Sequence, residues 1–253
     1  TAASYGDGES ERKIGRSGMS RRDEFVLVSK TGERTKAGAA AQIDRTLKNL
    51  NTDRLDGILM HGVASFAELD TILSENGAIH AALEAKKAGK VRFIGISMHG
   101  WPGPLIEALH RWDFDAVMST VNYYDRFNYP EIEGELLPLA QRKGIGTILM
   151  KPIADGYLYK SAPQAFRYAF NRPVSVVVTG INSLKMLEDD LRYAESYKPM
   201  TQQETDDLYK NAAELGGYVC RQCGKCLKDC PYGIDIPYKL HLAHYKLTDG
   251  EIY

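Results

Sequence analysis

Short apolar runs and segments of helical period take turns along most of this chain, and that alternation admits few folds. Six runs are clear: Phe25–Lys30, Leu55–Gly62, Val91–His99, Ala116–Tyr124, Ile145–Pro152 and Val174–Ile181. Thr1–Ala3 read as the last residues of a seventh. Each is rich in branched aliphatic residues without strict alternation, the pattern of parallel strands covered on both faces. Between them, Ala39–Leu50 sets Ile43, Leu47 and Leu50 on one helical face, and Ala78–Ala88 does the same with Ile79, Leu83 and Lys86. Leu105–Trp112, Glu135–Lys143, Pro163–Phe170 and Leu184–Tyr193 follow the same period. Repeated β-α units predict an α/β fold with a parallel sheet, closed as a barrel or open and doubly wound.

Glycine chemistry separates the two. A dinucleotide-binding open sheet needs Gly-x-Gly-x-x-Gly directly after an early strand. Gly6-Asp7-Gly8 lacks the third glycine, and Gly144-Ile145-Gly146 precedes a strand. The expectation is a (β/α)8 TIM barrel, which about 250 residues can build; the chain has 253. Lys and Arg number 32 against 33 Asp and Glu, so nothing suggests a nucleic-acid partner. No apolar run reaches the roughly 20 residues of a membrane span.

Beyond Tyr193 the character changes. Thr201 and Glu204 form a capping-box pattern opening a helix over Thr201–Leu215, which Gly216-Gly217 ends. Residues 1–200 therefore read as the barrel and 201–253 as an appended C-terminal helical module. That module carries all four cysteines: Cys220-Arg-Gln-Cys223-Gly-Lys-Cys226-Leu-Lys-Asp-Cys230-Pro231. Ligands two residues apart on a tight loop reach neighbouring corners of a cubane, and the order with its proline matches a bacterial ferredoxin run. Structural zinc sites usually split their cysteines into two distant pairs, and disulfides at such spacings are strained. Cys220, Cys223, Cys226 and Cys230 are expected to hold one 4Fe–4S cluster.

Three polar residues fall where barrel active sites lie, at strand C-termini: Tyr5 in TAASYG, Lys30 in VLVSK and His61 in ILMHG. Together with LNTDRLDGILMHG, VRFIGIS, VNYYD and VVVTGINSLKMLEDDL, they resemble the aldo/keto reductase family over nearly the whole chain. The cysteine run resembles that of a subset with a ferredoxin-like tail. The resemblance implies a catalytic tetrad of Asp, Tyr, Lys and His. Tyr5 would give a proton to a substrate carbonyl, Lys30 would favour the phenolate, and His61 would aim the carbonyl oxygen. It implies NADP or NAD as hydride carrier, with Ser97 and Asn122 at the nicotinamide amide, Lys151 at the phosphates, and Gly180, Asn182 and Asp190 at the adenosine side. The tetrad Asp and first barrel strand are expected upstream of Thr1. The family's Gln is Met118 here, and its phosphate-clamping Arg aligns with Met186, with Lys185 adjacent.

The expected activity is NAD(P)H-dependent reduction of a carbonyl, or the reverse alcohol oxidation, beside a cluster that is structural or relays electrons to a redox protein partner. The other reading is an electron-transfer or binding protein on a degenerate reductase scaffold. Free thiols and an oxygen-sensitive cofactor predict a cytoplasmic location.

Overall fold

The structure, a computed structural model, describes residues 1–212 and 226–240. Its strands are β1 (Val28–Thr31), β2 (Leu55–Met60), β3 (Val91–Ser97), β4 (Ala116–Thr120), β5 (Gly146–Met150) and β6 (Val176–Val178). Its α-helices are α1 (Glu9–Ser17), α2 (Lys36–Asn49), α3 (Phe66–Leu73), α4 (Ala78–Lys87), α5 (Gly103–Arg111), α6 (Asp125–Asn128), α7 (Leu137–Arg142), α8 (Ala162–Phe170), α9 (Leu184–Glu195) and α10 (Gln202–Ala212). Ile132–Leu136 form a π-helical turn. The expected α/β fold with parallel strands is present. Six strands lie among the described residues, one at each of the six clear apolar runs.

The chain divides into two compact units. The first comprises Thr1–His99, Gly103–Met118 and Leu139–Gly146. There β1 pairs with β2, β2 with β3, and β3 with β4, all parallel. All six residues of β2 are buried, as a strand covered on both faces requires. A Cβ on Gly95 would sit 2.5 Å from Leu59 Cδ2 and 2.6 Å from the Ala116 carbonyl oxygen, so β3 approaches its neighbours only with glycine there. α2 presents Ala39, Ile43 and Leu47 inward, as their spacing predicts. Its N-cap Thr35 accepts from Gly38 N, and at α3 Ser65 accepts from Glu68 N. Each such cap contributes about 1 kcal/mol.

Three details differ from the sequence reading. Thr1–Ala3 lie outside any strand, yet the nitrogens of Thr1 and Ala3 donate to the Val28 and Lys30 carbonyls at 3.0 and 3.2 Å. They thus run beside β1 with the i, i+2 stepping of a parallel ladder. β1 itself begins at Val28 rather than Phe25. On α4 the small residues Ala78, Ala81, Ala82 and Ala85 face inward with Ile79, and Leu83 is exposed. Alanine lets the helix pack closely, so the buried face turns away from the larger leucine.

The second unit comprises Gly100–Pro102, Ser119–Pro138 and the described residues from Thr147 onward. β5 pairs with β6 in parallel. Val176 of β6 is half exposed, unlike the two-sided burial expected of every strand. A core of Val121, Tyr124, Ile132, Leu149, Leu158, Tyr168 and Ala212 binds the unit. The predicted capping box opens α10: Glu204 N donates to Thr201 Oγ1 at 3.2 Å, and Thr201 N donates to Glu204 Oε2 at 2.8 Å. Arg167 of α8 donates to both oxygens of Glu204 at 2.7 and 2.9 Å, fastening α10 to α8.

Candidate active site

Tyr5, Lys30 and His61 come together in the first unit. The turn Ala3–Gly8 carries Tyr5, with Gly6 and Gly8 in left-handed backbone that favours glycine. Lys30 lies within β1 and is buried. His61 follows β2 directly, its backbone N–H donating to the Thr31 carbonyl at 2.9 Å. Lys30 Nζ donates to the Tyr5 hydroxyl at 3.3 Å and to the Thr1 carbonyl at 2.8 Å, and it stands 4.7 Å from the centre of the Tyr5 ring. The His61 ring meets the Tyr5 ring edge-on with centroids 5.9 Å apart. Tyr5 remains 42% exposed, whereas Lys30 is buried.

Burial pushes the His61 imidazole down to about 4, helped by Lys30, His99 and Arg34. A neutral ring at neutral pH can donate one hydrogen bond from one nitrogen while adding no charge. Arg34 fixes the backbone beneath it: its guanidinium donates to the His61 carbonyl at 2.8 Å and the Gly62 carbonyl at 3.2 Å, and pairs with Glu68. His99, at the end of the β3 run, brings a second imidazole 6.5 Å from His61. The sequence reading missed Arg34 and His99. The position of His99 just past a strand was a signal; nothing local marked Arg34.

The cofactor candidates are more dispersed. Ser97, also in the first unit, is buried; its hydroxyl donates to the Met60 carbonyl at 3.2 Å and accepts from Gly62 N at 3.4 Å. In the second unit, Asn122 is fully buried. Its amide donates to Asp125 Oδ2 at 2.9 Å and to the Lys151 carbonyl at 3.0 Å, while its oxygen accepts from Asp125 N at 2.7 Å. Burial pushes the Asp125 carboxyl up. Both side chains thus have their polar atoms turned to the protein. Lys151 has left-handed backbone and pairs with Asp155 at 2.6 Å. Gly180 and Asn182 are exposed, and a Cβ on Gly180 would meet nothing within 4 Å. Asp190 is partly buried, which pushes its carboxyl up. Lys185 is tied to Asp189 at 2.9 Å.

Cys220 and Cys223 lie outside the described residues. Cys226 and Cys230 are half-buried and carry no disulfide. Cys230 Sγ accepts from Ile234 N at 3.4 Å. Among the described residues, no cluster of three or more candidate metal ligands occurs, and no helix is long and apolar enough to cross a membrane.

A buried lysine within β1, a partly exposed phenol on the Ala3–Gly8 turn and an imidazole directly after β2 define a polar site in an α/β protein. The sequence model of the aldo/keto reductase family matches residues 1–164, and the chain belongs to that family. An L-galactose dehydrogenase of Arabidopsis thaliana is 30% identical over 178 residues, covering 64% of this chain and 53% of that protein. A methylglyoxal reductase of Escherichia coli is 29% identical over 158 residues, covering 61% and 52%. The chain spans about half the length of the curated relatives it matches. Among solved structures, an aldo-keto reductase of Bacillus halodurans in its holo form superposes with a TM-score of 0.69 at 23% identity, covering 85% of this chain and 80% of that one. One from Klebsiella pneumoniae, in complex with NADPH, gives 0.68 at 21% identity, covering 83% and 78%. These two likenesses establish a common fold.

Proposed function

We propose that the protein is an NAD(P)H-dependent oxidoreductase that reduces a small carbonyl compound or oxidises the matching alcohol. The observation that carries this reading is the contact between Lys30 Nζ and the Tyr5 hydroxyl at 3.3 Å beside the His61 ring. The nicotinamide supplies hydride to the carbonyl carbon when bound. The carbonyl oxygen must then gain a proton, and the Tyr5 O–H is the group to give it. The phenol oxygen left behind gains negative charge, which the buried ammonium of Lys30 offsets at short range. A neutral His61 donates to the carbonyl oxygen and sets its direction without competing for the charge. In the second unit, Lys151 is the candidate for the nucleotide phosphates, and Gly180, Asn182 and Asp190 are the candidates for the adenosine side. The names of the plant dehydrogenase and bacterial reductase relatives, and the NADPH in the Klebsiella structure, support the reading and favour NADP.

The same reading includes one 4Fe–4S cluster on Cys220, Cys223, Cys226 and Cys230, either clamping the tail or passing electrons to a redox protein. Its support is the spacing Cys220-x-x-Cys223-x-x-Cys226-x-x-x-Cys230-Pro231.

Anaerobically purified protein is expected to quench NADPH fluorescence and to turn over 4-nitrobenzaldehyde. Absence of nicotinamide binding would reject the oxidoreductase reading. Cys223→Ser is expected to abolish the brown absorbance and bound iron. Iron content equal to wild type in that variant would remove the cluster from the account.

A further inference from the structure

α1 buries almost nothing apolar. Its two buried residues are Glu11 and Gly15, and Glu11 is 0% exposed. Such a carboxylate is costly to bury unless both oxygens are met. Here Ser29 Oγ donates to Oε1 at 2.7 Å, and Asn49 Nδ2 donates to Oε2 at 3.0 Å. Ser29 is the residue before Lys30 on β1, and Asn49 ends α2. Gly15 makes room for this: a Cβ there would lie 2.4 Å from the Asn49 carbonyl oxygen. α1 is therefore seated on β1 and α2 by a buried polar staple in place of an apolar stripe.

The Tyr5 turn leads directly into α1, and its other end is held to β1 by Ala3 N on the Lys30 carbonyl at 3.2 Å. Between the two anchors lie Tyr5, Gly6, Asp7 and Gly8, with Asp7, Gly6 and Gly8 all at positive φ. The turn is closed by its own backbone hydrogen bonds, Tyr5 N to the Ala2 carbonyl at 3.1 Å and Ser10 N to the Tyr5 carbonyl at 3.2 Å, so Tyr5 moves with the first turn of α1. We infer that Glu11 is a positioning residue: by locking α1 to the strand that carries Lys30, it sets the separation of the Tyr5 hydroxyl and the Lys30 ammonium. This rests on the proposed oxidoreductase function. A displacement of 1 Å at reacting groups costs about a hundredfold in rate.

The test measures NADPH-dependent reduction of 4-nitrobenzaldehyde for wild type, Glu11→Ala, Glu11→Gln, Asn49→Ala and Tyr5→Phe, each below its own melting temperature. Glu11→Ala is expected to lower kcat about a hundredfold with KM within about threefold of wild type. Glu11→Gln can still accept from Ser29 and, after Asn49 turns its amide, donate to Asn49; it is expected to recover kcat to within about fivefold. Asn49→Ala, which keeps the Ser29 bond, is expected to lose about tenfold and stands in should Glu11→Ala not fold. A structural role alone predicts lowered melting temperature with wild-type kcat in the folded variants, and that result overturns the inference. Tyr5→Phe separates the two readings: if it keeps wild-type turnover, the function is wrong. If it is inactive while Glu11→Ala and Asn49→Ala are not, only the inference fails.

Discussion

Tyr5→Phe is expected to lower kcat for carbonyl reduction by about a thousandfold, or about 4 kcal/mol of transition-state stabilisation. The substitution keeps the ring that Lys30 faces at 4.7 Å and that the His61 ring meets edge-on. Only the O–H is lost. Lys30 keeps its other acceptor, the Thr1 carbonyl at 2.8 Å, so the buried ammonium is not stranded. Tyr5 is itself 42% exposed, and removing its hydroxyl opens no cavity. Stability and NADPH affinity should therefore stay near wild type, with the melting temperature within about 2 °C. Single-turnover mixing of enzyme, NADPH and 4-nitrobenzaldehyde, read by nicotinamide absorbance, isolates the chemical step. A fall of less than tenfold would mean that another group supplies the proton.

The sequence exposes those parts of this molecule that are made of apolar periodicity or of single residues at strand ends. Ile43 and Leu47 on α2, and the β2 run, read directly because burial of apolar side chains places them. Tyr5, Lys30 and His61 were legible for a different reason: parallel strands end at one face, so polar residues just past each run converge. α1 escaped notice because ESERKIGRS carries one apolar residue, and its burial runs through Glu11 and Gly15 instead. Periodicity has no purchase on a helix seated by a carboxylate. α3 was missed although Ser65 and Glu68 formed the same capping pattern that revealed α10. The internal use of the Asn122 amide could not be read at all, since it depends on the Lys151 carbonyl, 29 residues away in sequence.

The largest loss of stability is expected from Asp56→Ala. Asp56 lies in β2 and is buried. It accepts from Leu27 N at 2.8 Å, Arg22 at 2.9 Å and Arg92 at 3.0 Å. Burial alone would push its carboxyl up; the Leu27 N–H and the two guanidinium groups outweigh it and hold the group below its usual value of 3.8. Among the described residues, alanine would leave the Arg22 guanidinium, also buried, without a carboxylate, keeping the Phe25 and Arg54 carbonyls at 3.1 and 3.2 Å and the Phe25 ring. Stranding a buried charge in this way costs about 3–5 kcal/mol, a large share of the 5–15 typical of a folded domain. At about 2–4 °C per kcal/mol the melting temperature should fall by roughly 10 °C. The pH dependence follows from the direction of the shift. A carboxyl lowered by folding contributes its full stabilisation above 3.8 and loses it as the pH falls through the lower folded-state value. Wild type and Asp56→Ala should accordingly differ by a constant amount from pH 5 to 8, and the gap should narrow below about pH 4. Urea unfolding at pH 7 and pH 3 measures both quantities. A difference under 1 kcal/mol at pH 7 would show that the two arginines find water as readily as they find Asp56, and that β2 is held by its apolar faces alone.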